Sequence, residues 1–321
     1  MRLPVVVLCF VFFLSACQQD ATDPEVYPSK PIQIIVPYGP GGTTDVFARA
    51  FARVLSEHLP GSAPVIVVNK PGGSSTIGVT ALHRSKADGY TLAMLPTGVL
   101  EVQPHLNRVR WTLDDFAPVI GLLEIPAAIN VRDDSTLATF SDWLQQVRSQ
   151  PNAFMYSTSG GVGSSTHLAM QTAQNLLGIK LRWIPFEGEA ASRAALLGGK
   201  IQGNFSIPTL HKGGELRPLV FLTRSKPDSD LYQDVPTLKQ LGFDFEAQFP
   251  LGVIAKAGTP KPILKVLHDA FEASMQDPAI RKLYQTYDLA PYYLSSSELG
   301  EQLLSNSQQS RQTLVNLGMI R

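Results

Sequence analysis

A chain of 321 residues, 44% of them hydrophobic and 17% charged, is long enough to bury one large core or two smaller ones. Lys+Arg and Asp+Glu both count 27, so the formal charge is zero, and no Lys/Arg block is present to track a phosphate backbone. Composition thus argues for a globular protein and against a nucleic-acid partner.

The chain opens on MRLPVVVLCFVFFLSACQQD, with one basic residue and an apolar run over residues 5–14. That run is too short to span a bilayer and has the length of a secretory signal's apolar region. Leu14-Ser15-Ala16-Cys17 resembles the bacterial lipobox, whose cysteine thiol takes a diacylglyceryl group and becomes the mature N-terminus. The alternative is an ordinary signal peptide cut near Ala16. Cysteine usage favours lipidation: of the two cysteines, Cys9 lies in the removable segment, which leaves Cys17 the sole thiol, on an exposed tail in an oxidising compartment. The expected anatomy is a lipoprotein signal peptide over residues 1–16, then a lipidated N-terminus and polar tether over 17–28, with two or three acyl chains for stable anchoring.

Next, IQIIV (32–36), VIVV (65–68) and YTLAML (90–95) predict strands. The segments between them carry apolar residues at helical spacing, as in Val46, Phe47, Ala50, Phe51, Val54 and Leu55. This is the pattern of a βαβαβ unit with a parallel sheet. A strand-rich stretch over 116–131 precedes a second alternation: a helix near 141–148, AFMYSTS, a helix over 166–177, LRWIPF, EAASRAALLGG, then short strands at IQGNF and PLVFLT. LGVIAKAG (251–258) is expected to return as a strand to the first sheet, before helices over 262–275, 278–287 and 297–317. The predicted fold class is α/β, with two α/β lobes joined by a hinge of two crossovers: domain I over 29–129 plus 250–321, domain II over 130–249.

Glycine loops lie where such a fold binds ligands, between strand ends and helix starts. IVPYGPGGTTD (35–45) runs from a strand through a Gly/Pro turn to Thr43, Thr44 and Asp45, where an N-cap belongs. Glycine lets a turn aim consecutive N–H groups one way, and the helix start adds partial positive charge, so Tyr38, Gly41, Gly42, Thr43, Thr44 and Asp45 form a candidate anion site. One such junction is explained as well by a tight turn with a good cap. A second, YSTSGGVGSSTH (156–167), occupies the same place in the other lobe and tips the balance. It offers Ser157, Ser159, Gly163, Ser164, Ser165 and Thr166, some of which must cap or satisfy the turn instead. A third loop, NKPGGSST (69–76), holds Ser75; it either joins the site or packs against the first loop.

Enzyme signatures fail. Residues 39–44 lack the last glycine of the dinucleotide fingerprint, Gly198-Gly199-Lys200-Ile201 lacks the hydroxyl of a P-loop, no serine sits in G-x-S-x-G, and the six histidines never fall at i, i+4. No catalytic residue, cofactor or metal is expected; His167, after the second loop, is read as a structural bond across that turn.

At these residues the chain resembles the periplasmic solute receptors of tripartite tricarboxylate transporters, the Bug proteins. KPIQIIVPYGPGGTTD, NKPGGSSTIG, ADGYT, STSGGVGSSTHL, ALLGGKI, DVPTL and AKAGTP follow the family's order and cover roughly residue 27 to the end. The resemblance implies a monomeric two-lobed receptor of the type II-like binding-protein fold. It would close on a ligand carboxylate held by N–H groups and hydroxyls of the loops over 38–45 and 157–166, with ordered waters completing the site. Thr97, Phe186 and Ser206 join the expected ligand contacts on this basis. Its implied partners are a small organic carboxylate and the membrane subunits of the transporter, with the membrane itself reached through the lipid anchor. Three departures stand out. Where the family often reads V-P-Y-K-G, this chain has Ile184-Pro185-Phe186-Glu187-Gly188; where many members carry an aspartate after G-G-x-[VI], it has Ser206; and it carries a lipobox. A ligand-sensing receptor for a membrane sensor kinase would have the same cleft, and an enzyme on a similar scaffold would need a nucleophile and base that the motifs do not supply.

Overall fold

The computed structural model of this chain describes residues 27–321 apart from 107, 187, 209–214, 225 and 228. The expected signal peptide, Cys17 and Glu187 lie outside the described residues.

Two mixed sheets organise the molecule. In the first, β1 (Ile32–Val36) lies between β2 (Val65–Asn69) and β3 (Thr91–Pro96), all parallel, as the βαβαβ pattern requires. β4 (Phe116–Glu124), β10 (Pro250–Lys256) and β11 (Pro291–Leu294) complete the order β11-β4-β10-β3-β1-β2, and β10 runs antiparallel to both β3 and β4. The second sheet, in order β7-β6-β8-β5-β9, comprises β5 (Ala128–Arg132), β6 (Met155–Thr158), β7 (Arg182–Trp183), β8 (Gly203–Ser206) and β9 (Leu216–Phe221). The chain therefore passes between the sheets twice, after β4 and again before β10.

Each sheet has its own core. β1 is a central strand covered on both faces, so Ile32, Ile34, Ile35 and Val36 are all buried rather than alternating. Helix α1 (Thr43–His58) lays Phe47, Phe51 and Leu55, one turn apart, on this sheet. Phe47 meets Tyr284 of α8 (Pro278–Thr286) edge-on, and Phe51 meets Phe271 of α7 (Lys261–Met275). Each fully buried side chain of this size contributes about 1.5–3 kcal/mol. The second core gathers Phe140 and Trp143 of α4 (Phe140–Ser149) with Phe154, Tyr156, Phe205 and Phe249.

Helix ends are set by local chemistry. Thr139 and Asp142 form a reciprocal capping box on α4, as do Ser295 and Glu298 on α9 (Ser296–Asn316). Ser164 caps α5 (Ser165–Leu177) by accepting from the His167 N–H, and Gly178, at φ 64°, ends that helix in the left-handed region. No described helix is long and apolar enough to cross a membrane.

Candidate functional site

Three helix starts converge between the sheets. The end of β1 leads through residues 37–42 into α1, the end of β6 through 159–164 into α5, and the segment after β7 turns at Gly188 into α6 (Glu189–Leu197). A helix start presents N–H groups without partners in the helix and carries partial positive charge. These three starts line a cavity of ≈ 70 Å³ with Gly42, Thr43 and Thr44 of the first, Ser164, Ser165 and Thr166 of the second, and Glu189 of the third. Tyr38, Ser159 and Ser206 complete its polar wall, while Pro96, Ile125, Ala127, Ile207 and Phe249 supply apolar surface. Among these lining residues the only ionisable groups are Tyr38 and Glu189.

Other expected contacts brace the site from outside this cavity. Asp45 accepts from the Gly41 N–H at 3.0 Å, Arg49 Nε at 3.1 Å and Asn69 Nδ2 at 2.8 Å, fixing the first loop to α1 and β2. Burial pushes its carboxyl pKa up, but the hydrogen bonds from Arg49, Gly41 and Asn69 and the Arg49 charge hold it below the usual carboxylate value. Gly41, at φ 85°, makes the turn that aims its N–H at Asp45. Thr97, fully buried, donates its hydroxyl to Glu101 at 2.7 Å, and Ser157 shares a hydrogen bond with Ser192. The Gly163 carbonyl accepts from Gln103 Nε2 at 2.8 Å. Gly163 also donates its N–H to His167 Nδ1 at 3.4 Å, and burial lowers the pKa of that imidazole.

Ser75 and Phe186 line an adjoining groove of ≈ 600 Å³ instead. Tyr38, Gly39, Ser159 and Gly160 wall both spaces, and the groove adds Trp183, Pro37, Pro71 and Pro185. Burial raises the Tyr38 phenol pKa, partly offset by a hydrogen bond from Ser75, so the third glycine loop supports the first through this pair.

The residue that sequence reasoning missed is Glu189. Its carboxylate accepts from the Thr43 hydroxyl at 3.0 Å and, more weakly, from the Thr43 N–H at 3.4 Å, reaching from the second sheet's α6 to the first sheet's α1. The residue as a whole is partly exposed, yet the cleft walls enclose its carboxyl group. That burial pushes its pKa up to about 7, against hydrogen bonds from Thr43 and the Ile207 N–H that favour the charged form.

Comparison with known proteins agrees with this architecture. The sequence pattern of the tripartite tricarboxylate transporter family receptors matches residues 47–319. This chain belongs to that receptor family. BugT of Bordetella pertussis is 30% identical over 291 residues, 88% of this chain and 87% of its own. A solved structure described as a periplasmic transporter superposes with a TM-score of 0.84 at 26% identity, covering 92% of this chain and 99% of that one. A Rhodopseudomonas palustris protein solved with adipate superposes at 0.82 and 24% identity, covering 91% and 98%. Members of this receptor family are binding proteins rather than enzymes.

Proposed function

We propose that this receptor captures a small carboxylate-bearing organic acid between its two lobes and delivers it to the membrane subunits of a tripartite transporter, while tethered to the membrane through a lipid on Cys17. The observation that carries the ligand class is the convergence of α1, α5 and α6 on one cavity. Backbone N–H groups and hydroxyls there replace Lys or Arg, an arrangement that holds an anion by oriented dipoles. The adipate complex of the R. palustris relative supports the same class.

Ser206 supports an acid without an amine. It lies buried on the cavity wall, with Asn130 Nδ2 3.3 Å from its hydroxyl, and supplies no charge for an ammonium group, while Glu189, the one carboxyl on that wall, is already engaged by Thr43 and the Ile207 N–H. The groove lined by Trp183, Phe186 and three prolines gives an apolar body room beside the carboxylate. Mass spectrometry of ligand released from gently purified protein identifies the solute directly. A thermal-shift panel is expected to rank mono- and dicarboxylates above their α-amino counterparts; the opposite ranking overturns the ligand class. Cys17→Ser is expected to move the protein from the detergent phase to the aqueous phase, and equal partitioning removes the anchor.

A further inference from the structure

Glu189 sits where a solute carboxylate is expected. The Thr43 N–H and hydroxyl at the start of α1 are the donors that an incoming anion would use, and the protein's own carboxylate already accepts from both. Two ionised carboxylates at one helix start repel each other in an enclosed space and compete for the same donors. One of them must move away, or one must take a proton.

Displacement is disfavoured by the local packing. Glu189 is the first residue of α6, so its backbone is fixed by that helix, and the Ile207 N–H also bonds its carboxylate. Its Cβ and Oε2 both lie 3.9 Å from where a side chain on Gly42 would begin, so the carboxyl group rests against the N-cap of α1. Protonation is the route open to it. Of the charged groups around it, Arg193, one turn along α6, favours the ionised form but is itself engaged by Glu215, and Asp45 is turned into Arg49 and Asn69. The facing groups from the first lobe, Tyr38 and Tyr287, are phenols whose own pKa values burial raises, so both are neutral at physiological pH.

Resting on the carboxylate reading above, we infer that Glu189 is a resident carboxyl group in the solute site and that a ligand carboxylate bound at the start of α1 brings one proton in with it. The proton comes from solvent and stays on Glu189, whose O–H then donates to the ligand oxygen. The resulting O–H···O⁻ bond joins what would otherwise be two repelling anions. The site thereby senses the charge of its solute: a neutral or ammonium group presented to α1 takes up no proton, whereas a second carboxylate does.

The direction of the linkage follows. Ionised Glu189 must be protonated before the ligand carboxylate binds, so affinity is full below the group's midpoint and is lost above it, by about tenfold per pH unit for one linked proton. Titration calorimetry with succinate, glutarate and adipate, at pH 6 and pH 8 and in buffers of differing ionisation enthalpy, measures both affinity and proton uptake. About tenfold weaker binding at pH 8, uptake approaching one proton there, and loss of both effects in Glu189→Gln are expected. Equal affinity at the two pH values, or the same pH dependence in Glu189→Gln, overturns the inference while leaving carboxylate binding intact. Absence of binding by all three acids at both pH values overturns the carboxylate reading instead, and the coupling with it. Thermal unfolding without added acid checks the resident group itself: Glu189→Gln should gain on the wild type as pH rises from 5 to 8, and parallel curves place Glu189 outside an enclosed site.

Discussion

Gly42 and Glu101 show how single positions divide between site and scaffold. Gly42 caps α1 at φ −82° and ψ 168°, a conformation open to any residue, so its smallness is not required by the backbone. A Cβ there meets Glu189 only at ordinary contact distance, 3.9 Å. Gly42→Ala is therefore expected to bind acids with little change. Gly42→Val drives a methyl into the Glu189–Thr43 pair and should weaken binding at least tenfold, about 1.4 kcal/mol, with an unchanged circular dichroism spectrum; calorimetry on the two variants decides it. Glu101 belongs to the scaffold. It is 3% exposed, its bonds come from neutral Thr97 and Asn306, and burial pushes its pKa up to about 7 from 4.5. A raised folded-state value means that the native protein holds a proton the unfolded chain has released, so stability declines as pH rises from about 4.5 through 7. Glu101→Gln, which keeps an acceptor for Thr97, should remove that decline and gain on the order of 2–3 kcal/mol by pH 8, read as a higher Tm at pH 8 and little change at pH 4. The loops were legible residue by residue because glycines and hydroxyls before a helix have a local meaning. Glu189 was not, because an acid at a helix start is explained by its own dipole, and only the approach of the other lobe shows that its carboxylate serves α1 as well.

At the scale of elements, strands and helices with long apolar patterns were readable: β1, α1, α5 and α9 lie within one or two residues of their sequence limits. What escaped has a physical cause. Helix α3 (Gly98–Val102) is too short to show a period, and β11 is an edge strand paired with β4 at Pro291 and Leu294 only, so it lacks a buried alternation. Strand direction leaves no trace in composition, which is why the antiparallel course of β10 through an otherwise parallel neighbourhood had to come from the structure. Helix α3 nevertheless matters to the cleft. A Cβ on Gly98 would lie 2.3 Å from the Ser165 Cβ and Oγ, so the start of α3 in the first lobe approaches the start of α5 in the second more closely than any side chain permits. Gly98→Val is expected to hold the two helix starts apart, weakening acid binding tenfold or more while each sheet keeps its core. Calorimetry beside far-UV dichroism separates this from misfolding, and unaltered affinity would show that α3 and α5 need not meet for binding.

For the whole molecule, the two passages between the sheets run side by side. The Ile125 N–H bonds the Phe249 carbonyl at 2.9 Å, the Leu222 N–H bonds the Ala127 carbonyl at 3.0 Å, and Ala127 in turn takes Thr223 Oγ1 as acceptor at 3.2 Å. A paired ribbon of this kind bends without breaking its hydrogen bonds, as a hinge must. Opposite it, the lobes touch through Ser74, whose hydroxyl donates to the Val162 carbonyl at 2.9 Å, as well as through Thr43–Glu189 and Gln103–Gly163. If a solute reaches the ≈ 70 Å³ cavity behind those contacts by hinge opening, they must part first. A covalent lock tests this. A Cβ on Gly161 would sit 3.4 Å from the Ser74 Cβ, just short of the roughly 3.5–4.5 Å that disulfides favour, so a small relaxation of the loop suffices to close the bond. In a Cys17→Ser background, Ser74→Cys with Gly161→Cys should oxidise to a closed form that excludes dicarboxylates, whose radius of gyration matches that of wild type saturated with acid, and reduction should restore both binding and the ligand-dependent contraction in small-angle scattering. Oxidised protein that still binds at the reduced rate would mean that the acid reaches α1 and α5 without the lobes separating, and the hinge would then serve something other than capture.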